Sequence, residues 1–313
     1  MSRPRHPLLA KAVVAEIERA ASAHRGSRWT RGGFTDCDDL ASHRCGVFHG
    51  APFSVFAKLN VEAEAGEQFA AELAGLNLLR ELAQIATPTA IGPGVVDLPA
   101  GSLLLFEALP ERAPQARSAA DWRSIGRTLA ALHLVSAGQF GLDQPVSFFG
   151  PFRQDNRAVS PNNWADFYAE RRLIPHLRSA VDAGHVPADL AAQVERVIRR
   201  LPALAGPEPA PSLLHGDAQQ HNFMSTPAGA VVIDAAPYFG HPEVDLAMID
   251  YFDPVPADLF DAYREIAPID RGFEQRRELW RVFGYLAVIS VADDGTFGRR
   301  FLRRLADAVG SYR

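Results

Sequence analysis

The chain has 313 residues, 47% hydrophobic and 22% charged, with a net charge of −5. That balance suits a globular protein with a sizeable core and gives no support to a polybasic surface for nucleic acid or an anionic membrane. No apolar run approaches the roughly 20 residues that span a bilayer, no signal-peptide core opens the chain, and Cys37 and Cys45 alone make neither a disulfide framework nor a zinc site, so a cytoplasmic location is expected. Residues 7–24 carry the apolar spacing of a helix. Residues 28–60 read as strands and turns: Arg28–Phe34 with its Gly32-Gly33 pair, Arg44–His49, and an alternating Pro52–Asn60, the last two joined at His49-Gly50-Ala51-Pro52. Residues 65–84 form the clearest early helix, with Phe69, Leu73, Leu76, Leu79 and Leu82 near one face. Pro88 and Gly92-Pro93-Gly94 break the chain before strands at Gly94–Leu98 and Ser102–Glu107. Beyond Pro110 the pattern becomes helical, at 119–137, 162–182, 187–203, 256–266, 272–291 and 296–312, interrupted by a β-rich interlude, Ser212–Asp234. The expected class is α+β in two lobes, a small β-rich lobe over 1–108 and a larger helical lobe over 109–313, with the boundary near 108–112.

The strongest chemical signal lies in that interlude. An apolar strand end delivers His215-Gly216-Asp217, Asn222 follows five residues after the Asp, and a second apolar strand ends at Asp234. Phosphoryl transfer needs charge neutralisation and alignment more than covalent help. Asp217 could accept the proton of an attacking hydroxyl, and Asn222 and Asp234 offer the hard oxygen ligands that suit Mg²⁺. A bare His-Gly-Asp is more often a turn; the two further residues at these spacings favour a catalytic loop. Of 32 basic residues only Lys11 and Lys58 are Lys, and an ammonium is not interchangeable with a guanidinium. Lys58 sits inside an apolar strand, where it could hold the phosphates of a nucleotide. Glu72, bordering the apolar face of the 65–84 helix, is the carboxylate expected to pair with it, because either group buried alone is costly. Glu62, Glu64 and Glu67 fall in the loop or on the polar first turn.

Seven further residues are weaker candidates. Gly32 and Gly33 could let backbone amides approach phosphates, although they match no strict glycine-loop spacing. Glu107 ends the strand before the lobe connector, where backbone groups could read an adenine edge. His133 and His215 read as hydrogen-bonded core histidines, and Asp245 as a carboxylate binding loop amides behind Asp217. Cys37 leaves a redox role open.

Taken together, His-Gly-Asp-x4-Asn followed by Ile-Asp resembles the aminoglycoside-phosphotransferase and protein-kinase-like superfamily. Within it, Asp234-Ala235-Ala236-Pro237-Tyr238-Phe239-Gly240-His241-Pro242-Glu243-Val244-Asp245-Leu246-Ala247-Met248 is similar to the D-P-A-x-Y-Y-G-x-R-E-V-D-L-A-M run of the fructosamine (ketosamine) 3-kinase family. Residues 56–60 resemble that family's F-V-K-x-N, and residues 69–76 its F-x-x-E-A-x-G-L. The resemblance implies a bilobal protein-kinase-like fold, ATP with Mg²⁺, and transfer of the γ-phosphate to a sugar hydroxyl of a ketosamine. It places the base at Asp217, the metal ligands at Asn222 and Asp234, and the phosphate lysine and its carboxylate at Lys58 and Glu72. The family's H-G-D-L-W-S-G-N is replaced here by Ala218-Gln219-Gln220-His221 after the Asp, which leaves an aminoglycoside, another amino sugar or a metabolite alcohol as alternative acceptors. Asp36, Asp38 and Asp39 add negative charge where phosphates would lie and are expected to point away. A non-catalytic nucleotide-binding protein on the same fold is the remaining alternative.

Overall fold

The computed structural model describes residues 6–38, 43–143, 146–291 and 295–312. After helix α1 (Lys11–Arg25) come three strands, β1 (Gly33–Asp36), β2 (Arg44–His49) and β3 (Val55–Asn60), then helix α2 (Ala65–Ala83) and strands β4 (Ala90–Leu98) and β5 (Gly101–Glu107). The five strands form one antiparallel sheet in the order β1-β2-β3-β5-β4. Side-chain alternation decides what each face does. Val55, Ala57 and Leu59 of β3, with Leu103 and Leu105 of β5, join Ile17 of α1 and Trp29 in one buried cluster. The intervening Leu104 and Phe106 belong instead to the main core with Phe69, Leu76 and Leu79 of α2. Lys58, out of phase with Ala57 and Leu59 and opposite Leu104, therefore faces the interior side, toward α2.

The first strand lies later than the sequence pattern suggests, at Gly33–Asp36 rather than Arg28–Phe34. Trp29 is the reason. Its ring is buried and its indole N–H donates to the Phe53 carbonyl at 3.0 Å, so residues around it serve as an anchor rather than as a ladder. Leu82 also departs from expectation: Phe69, Leu76 and Leu79 are buried, but Leu82 is 44% exposed. It stands in the last turn of α2, past the end of the contact with the sheet.

The helical part follows: α3 (Ala119–His133), a hairpin of β6 (Val146–Phe149) and β7 (Phe152–Asp155), then α4 (Trp164–Tyr168), which runs through a π-turn into α5 (Ile174–Asp182), and α6 (Ala188–Leu204). Ser118 and Asp121 cap α3 reciprocally. The interlude contains β8 (Ser212–Leu214), β9 (Phe223–Thr226) and β10 (Gly229–Val232), and β11 (Tyr238–Gly240) returns to pair with β8. Helices α7 (Glu243–Met248), α8 (Ala257–Arg264), α9 (Phe273–Val291) and α10 (Thr296–Gly310) complete the fold. The helices agree with the sequence pattern to within a few residues; the β6–β7 hairpin is an addition. The main core crosses the expected lobe boundary, since Leu104, Phe106 and α2 pack in the same cluster as Trp122, Leu213 and Tyr238. Among the described residues, no helix is long and apolar enough to cross a membrane.

Candidate active site

Three elements converge on Lys58. Its Nζ donates to Glu72 Oε1 at 2.8 Å and also to Asp234 Oδ1, 176 residues away. The approach of α2 depends on a glycine: a Cβ at Gly75 would lie 2.7 Å from Pro237 Cδ and 3.1 Å from the Ala235 carbonyl oxygen. Gly75 sits three residues after Glu72, so the same helix face supplies both the carboxylate and the clearance that lets it reach the 234–237 segment. Asp234 itself adopts φ 53°, the left-handed region that Asp tolerates better than most residues.

The loop carrying Asp217 is held from behind. Asp245, fully buried, accepts the His215 amide at 2.6 Å on Oδ2 and the Gly216 amide at 3.2 Å on Oδ1. His133 Nε2 lies 3.2 Å from Asp245 Oδ2, and its other nitrogen lies 2.8 Å from the Tyr263 hydroxyl. Gly216, at φ 83°, passes so close to the segment between β10 and β11 that a Cβ would lie 1.9 Å from the Ala236 carbonyl oxygen. His215 accepts the Asp217 amide on Nδ1 and donates from Nε2 to the Ile233 carbonyl; burial keeps its pKa below the ordinary histidine value. A support that sequence reasoning missed is Arg117, whose guanidinium donates to the carbonyls of Gln220, at 3.0 Å, and Phe223. An arginine after the lobe connector carries no motif that would single it out.

Asp217 accepts Asn222 Nδ2 at 3.1 Å and, more weakly, Gln219 Nε2 at 3.4 Å. The same Asn222 amide also donates to the Asp217 carbonyl at 2.8 Å. Its own side-chain oxygen has no hydrogen-bond partner among the described residues. Burial, reinforced by the negative charge of Asp234, pushes the Asp217 carboxyl up to about 7. Burial also pushes Glu72 up, against the pull of Lys58. Burial opposes ionisation of Asp234 as well, but there the adjacent ammonium wins and holds it below the ordinary carboxylate range. Lys58 stays protonated: burial disfavours its charge, and Asp234 and Glu72 more than compensate. Glu72 and Asp234 thus share a single ammonium, with Asp217 lining the same cavity. When all three are ionised the centre holds uncompensated negative charge, and with the carbonyl oxygen of Asn222 this hard-oxygen set fits a divalent cation.

Two cavities meet here. One, of about 320 Å³, lies beneath β2 and β3 and along the connector Glu107–Leu109; Val47, Phe56, Phe106, Met224 and Ile233 give it apolar walls. The other, of about 520 Å³, is bounded by the β6–β7 hairpin, Gln219 and the ends of α7 and α9, and contains Asp217 and Asn222. Both are lined by Lys58, Glu72, His221 and Asp234. Glu107 lines the smaller cavity, its amide already bonded to the Thr89 carbonyl at 2.8 Å and its carboxylate lying 3.2 Å from His24 Nε2. Gly32 and Gly33 do not join the site. The Gly32 amide bonds the His49 carbonyl, and Gly33 pairs with His49, whereas Lys58 pairs with Cys45 four residues along β2. The glycine pair therefore lies at the far end of the ladder, and the turn near Lys58 is the one between β1 and β2. Asp38 in that turn is drawn away from the cavity by Arg44 and His6 and by the Cys45 amide. Asp36 is exposed, and Asp39 falls outside the described residues. Cys37 lines the smaller cavity, but burial and the neighbouring Asp36 raise its pKa and disfavour the reactive thiolate. In the departing segment, Ala218 and Gln220 are buried and only Gln219 and His221 line the larger cavity.

A sheet lobe over a helical lobe, with a lysine–carboxylate pair above an Asp–Asn–Asp centre, defines an ATP-dependent phosphotransferase of protein-kinase-like fold. A family model described as fructosamine kinase matches residues 14–308, and the chain belongs to that family. It is 35% identical over 234 residues to a probable ketoamine kinase of Synechocystis, covering 74% of this chain and 75% of that protein. It is 30% identical over 264 residues to ketosamine-3-kinase of Mus musculus, covering 74% and 81%. A solved chain from Thermobifida fusca carrying a provisional fructosamine-3-kinase assignment superposes with a TM-score of 0.79 at 28% identity, covering 95% of this chain and 98% of that one.

Proposed function

We propose that this enzyme transfers the γ-phosphate of Mg·ATP to a sugar hydroxyl of a ketosamine, with the nucleotide in the smaller cavity and the acceptor in the larger. The observation that carries the reading is the shared wall: a donor chamber and an acceptor chamber open onto the same Lys58, Glu72 and Asp234, with Asp217 on the acceptor side. Asp217 takes the hydroxyl proton; a carboxyl pushed up to about 7 is poised for that exchange near neutral pH. Lys58, fixed between Glu72 and Asp234, is the cation that steadies the phosphates. A divalent ion on Asn222 and Asp234 would supply neutralisation of phosphate charge. The connector Glu107–Leu109 lines the smaller cavity and would meet the base through the backbone groups not already bonded to Thr89, Ser54 and Glu111.

A second reading, another amino sugar as acceptor, is favoured by Gln219 and His221, which stand where the family pattern has tryptophan and glycine. Release of ADP by the purified enzyme with fructosyl-amines, ribulosyl-amines and aminoglycosides separates the two. Turnover of the ketosamines is expected. Turnover of aminoglycosides alone would transfer the assignment to the second reading, and a thermal shift with Mg·ATP but no turnover of any acceptor would remove both.

A further inference from the structure

Among the described residues, the larger cavity carries charge only at its inner end. Every charged side chain that lines it among the described residues (Lys58, Glu72, Asp217 and Asp234) belongs to the phosphate-transfer centre. The outer wall is apolar and comes from four separate segments: Phe148 and Phe149 of the β6–β7 hairpin, Phe252 after α7, Val288 and Val291 at the end of α9, and Phe297 at the start of α10. Val291 and Phe297 are 59% and 53% exposed, two of the few large hydrophobic side chains left open to solvent, and both stand at this cavity. Apolar side chains gathered at a cavity mouth rather than scattered singly mark a binding surface.

The wall is also preformed. Phe149 packs on Phe283 at 4.9 Å between ring centroids, and Phe252 and Phe297 pack on Phe301 at 6.1 and 4.9 Å. Phe283 and Phe301 are buried in the core, so the rings facing the cavity rest on fixed partners.

Resting on the ketosamine reading, we propose that this wall is the subsite for the amine-derived arm of the acceptor, and that it selects arms that are aromatic or aliphatic and uncharged. The sugar must lie inward, with a hydroxyl at Asp217, so the arm is directed out along this wall. A charged arm would give up water there and find no counter-charge among the described residues, whereas an apolar arm buries its surface against rings already in place.

The test holds the sugar constant. Fructosyl adducts of benzylamine, hexylamine, glycine and 1,4-diaminobutane are supplied with ATP and Mg²⁺, and kcat/KM is read from ADP release. The benzyl and hexyl adducts are expected to exceed the glycine and diaminobutane adducts by about tenfold or more, the scale on which apolar pockets discriminate. Phe297→Asp, at a position exposed enough to leave folding intact, is expected to lower the benzyl-to-diaminobutane ratio by about tenfold. Equal kcat/KM across the series, preference for a charged arm, or an unchanged ratio in F297D would each overturn the subsite while leaving the ketosamine reading in place. No turnover of any of the four adducts or of the corresponding ribulosyl-amines would remove that reading, and the subsite with it.

Discussion

The cavity beneath β2 and β3 and the cavity under the β6–β7 hairpin share three charged side chains, yet their walls come from different kinds of segment. The first is walled mainly by strand residues whose direction follows from alternation, Val47, Phe56 and Phe106 on the sheet, with Ile233 just past β10. The second is walled by a hairpin, a post-helical loop, a helix end and a helix start. At the junction, identity is dictated by charge: one ammonium, three carboxylates and an amide must balance one another and a phosphate. On the outer wall the requirement is only apolar volume, which many residues can meet. Chemistry is therefore tied to named residues, while the choice of acceptor is spread over positions free to vary.

The change expected to separate the two regions most sharply is Asp217→Asn. The amide keeps the shape but cannot take a proton, so kcat should fall by about three orders of magnitude, within the range of general-base effects. Stabilisation of the folded protein by Mg·ATP, read as a thermal shift, should be nearly retained. Turnover at the wild-type rate would take Asp217 out of the reaction.

A smaller effect is expected one layer back. Asp245 receives only donors: two backbone amides and a histidine ring. In Asp245→Asn one acceptor oxygen becomes an N–H₂ facing those donors. Loss of a buried charged acceptor of this kind costs about 2–3 kcal/mol, visible as a lowered Tm, and the loosened loop should lower kcat more than it raises KM for ATP. An unaltered Tm would mean that the loop is held by Arg117 and Gly216 without this carboxylate.

How much of this was legible in the sequence follows the same division. Asp217, Asn222 and Asp234 stand out by their spacing at the ends of two apolar strands, and Lys58 and Glu72 as charges in or beside an apolar setting; the structure brings all five to one place. Asp245 and His133 were legible for the same reason. Gly32-Gly33 misled because a glycine pair before a strand looks like a phosphate turn, while the strand register places it at the far end of the ladder. The β6–β7 hairpin escaped notice because its four-residue strands are too short to show alternation. Arg117 and the aromatic wall escaped because their roles are set by tertiary contacts between segments far apart in the chain.

The mildest expected effect is on pH dependence, and its sign is opposite for activity and stability. With Asp217 as the proposed base, kcat should rise as pH climbs through about 7, with the apparent midpoint lowered when a divalent ion is bound nearby. In the unliganded protein the folded state keeps this proton to a higher pH than the unfolded chain, whose carboxyl titrates near 3.8. The group's contribution to stability is thus full below that value and is lost as pH rises through about 7. Glu72, pushed up by burial, adds to the loss in the same direction. The buried histidines act oppositely. Burial lowers His176 to about 4 and His241 to about 3, so the folded state resists protonation that the unfolded chain accepts near 6.5, and stability falls on the acid side. The informative quantity is consequently the difference in Tm between wild type and D217N at each pH, in which the histidines cancel. Between pH 6 and 8 the variant should gain on the wild type, and saturating Mg²⁺ should shrink that gain by neutralising the carboxylate. A difference that stays flat across this interval would show that Asp217 titrates in the ordinary carboxylate range and is not held near neutrality by Asp234 and its buried setting.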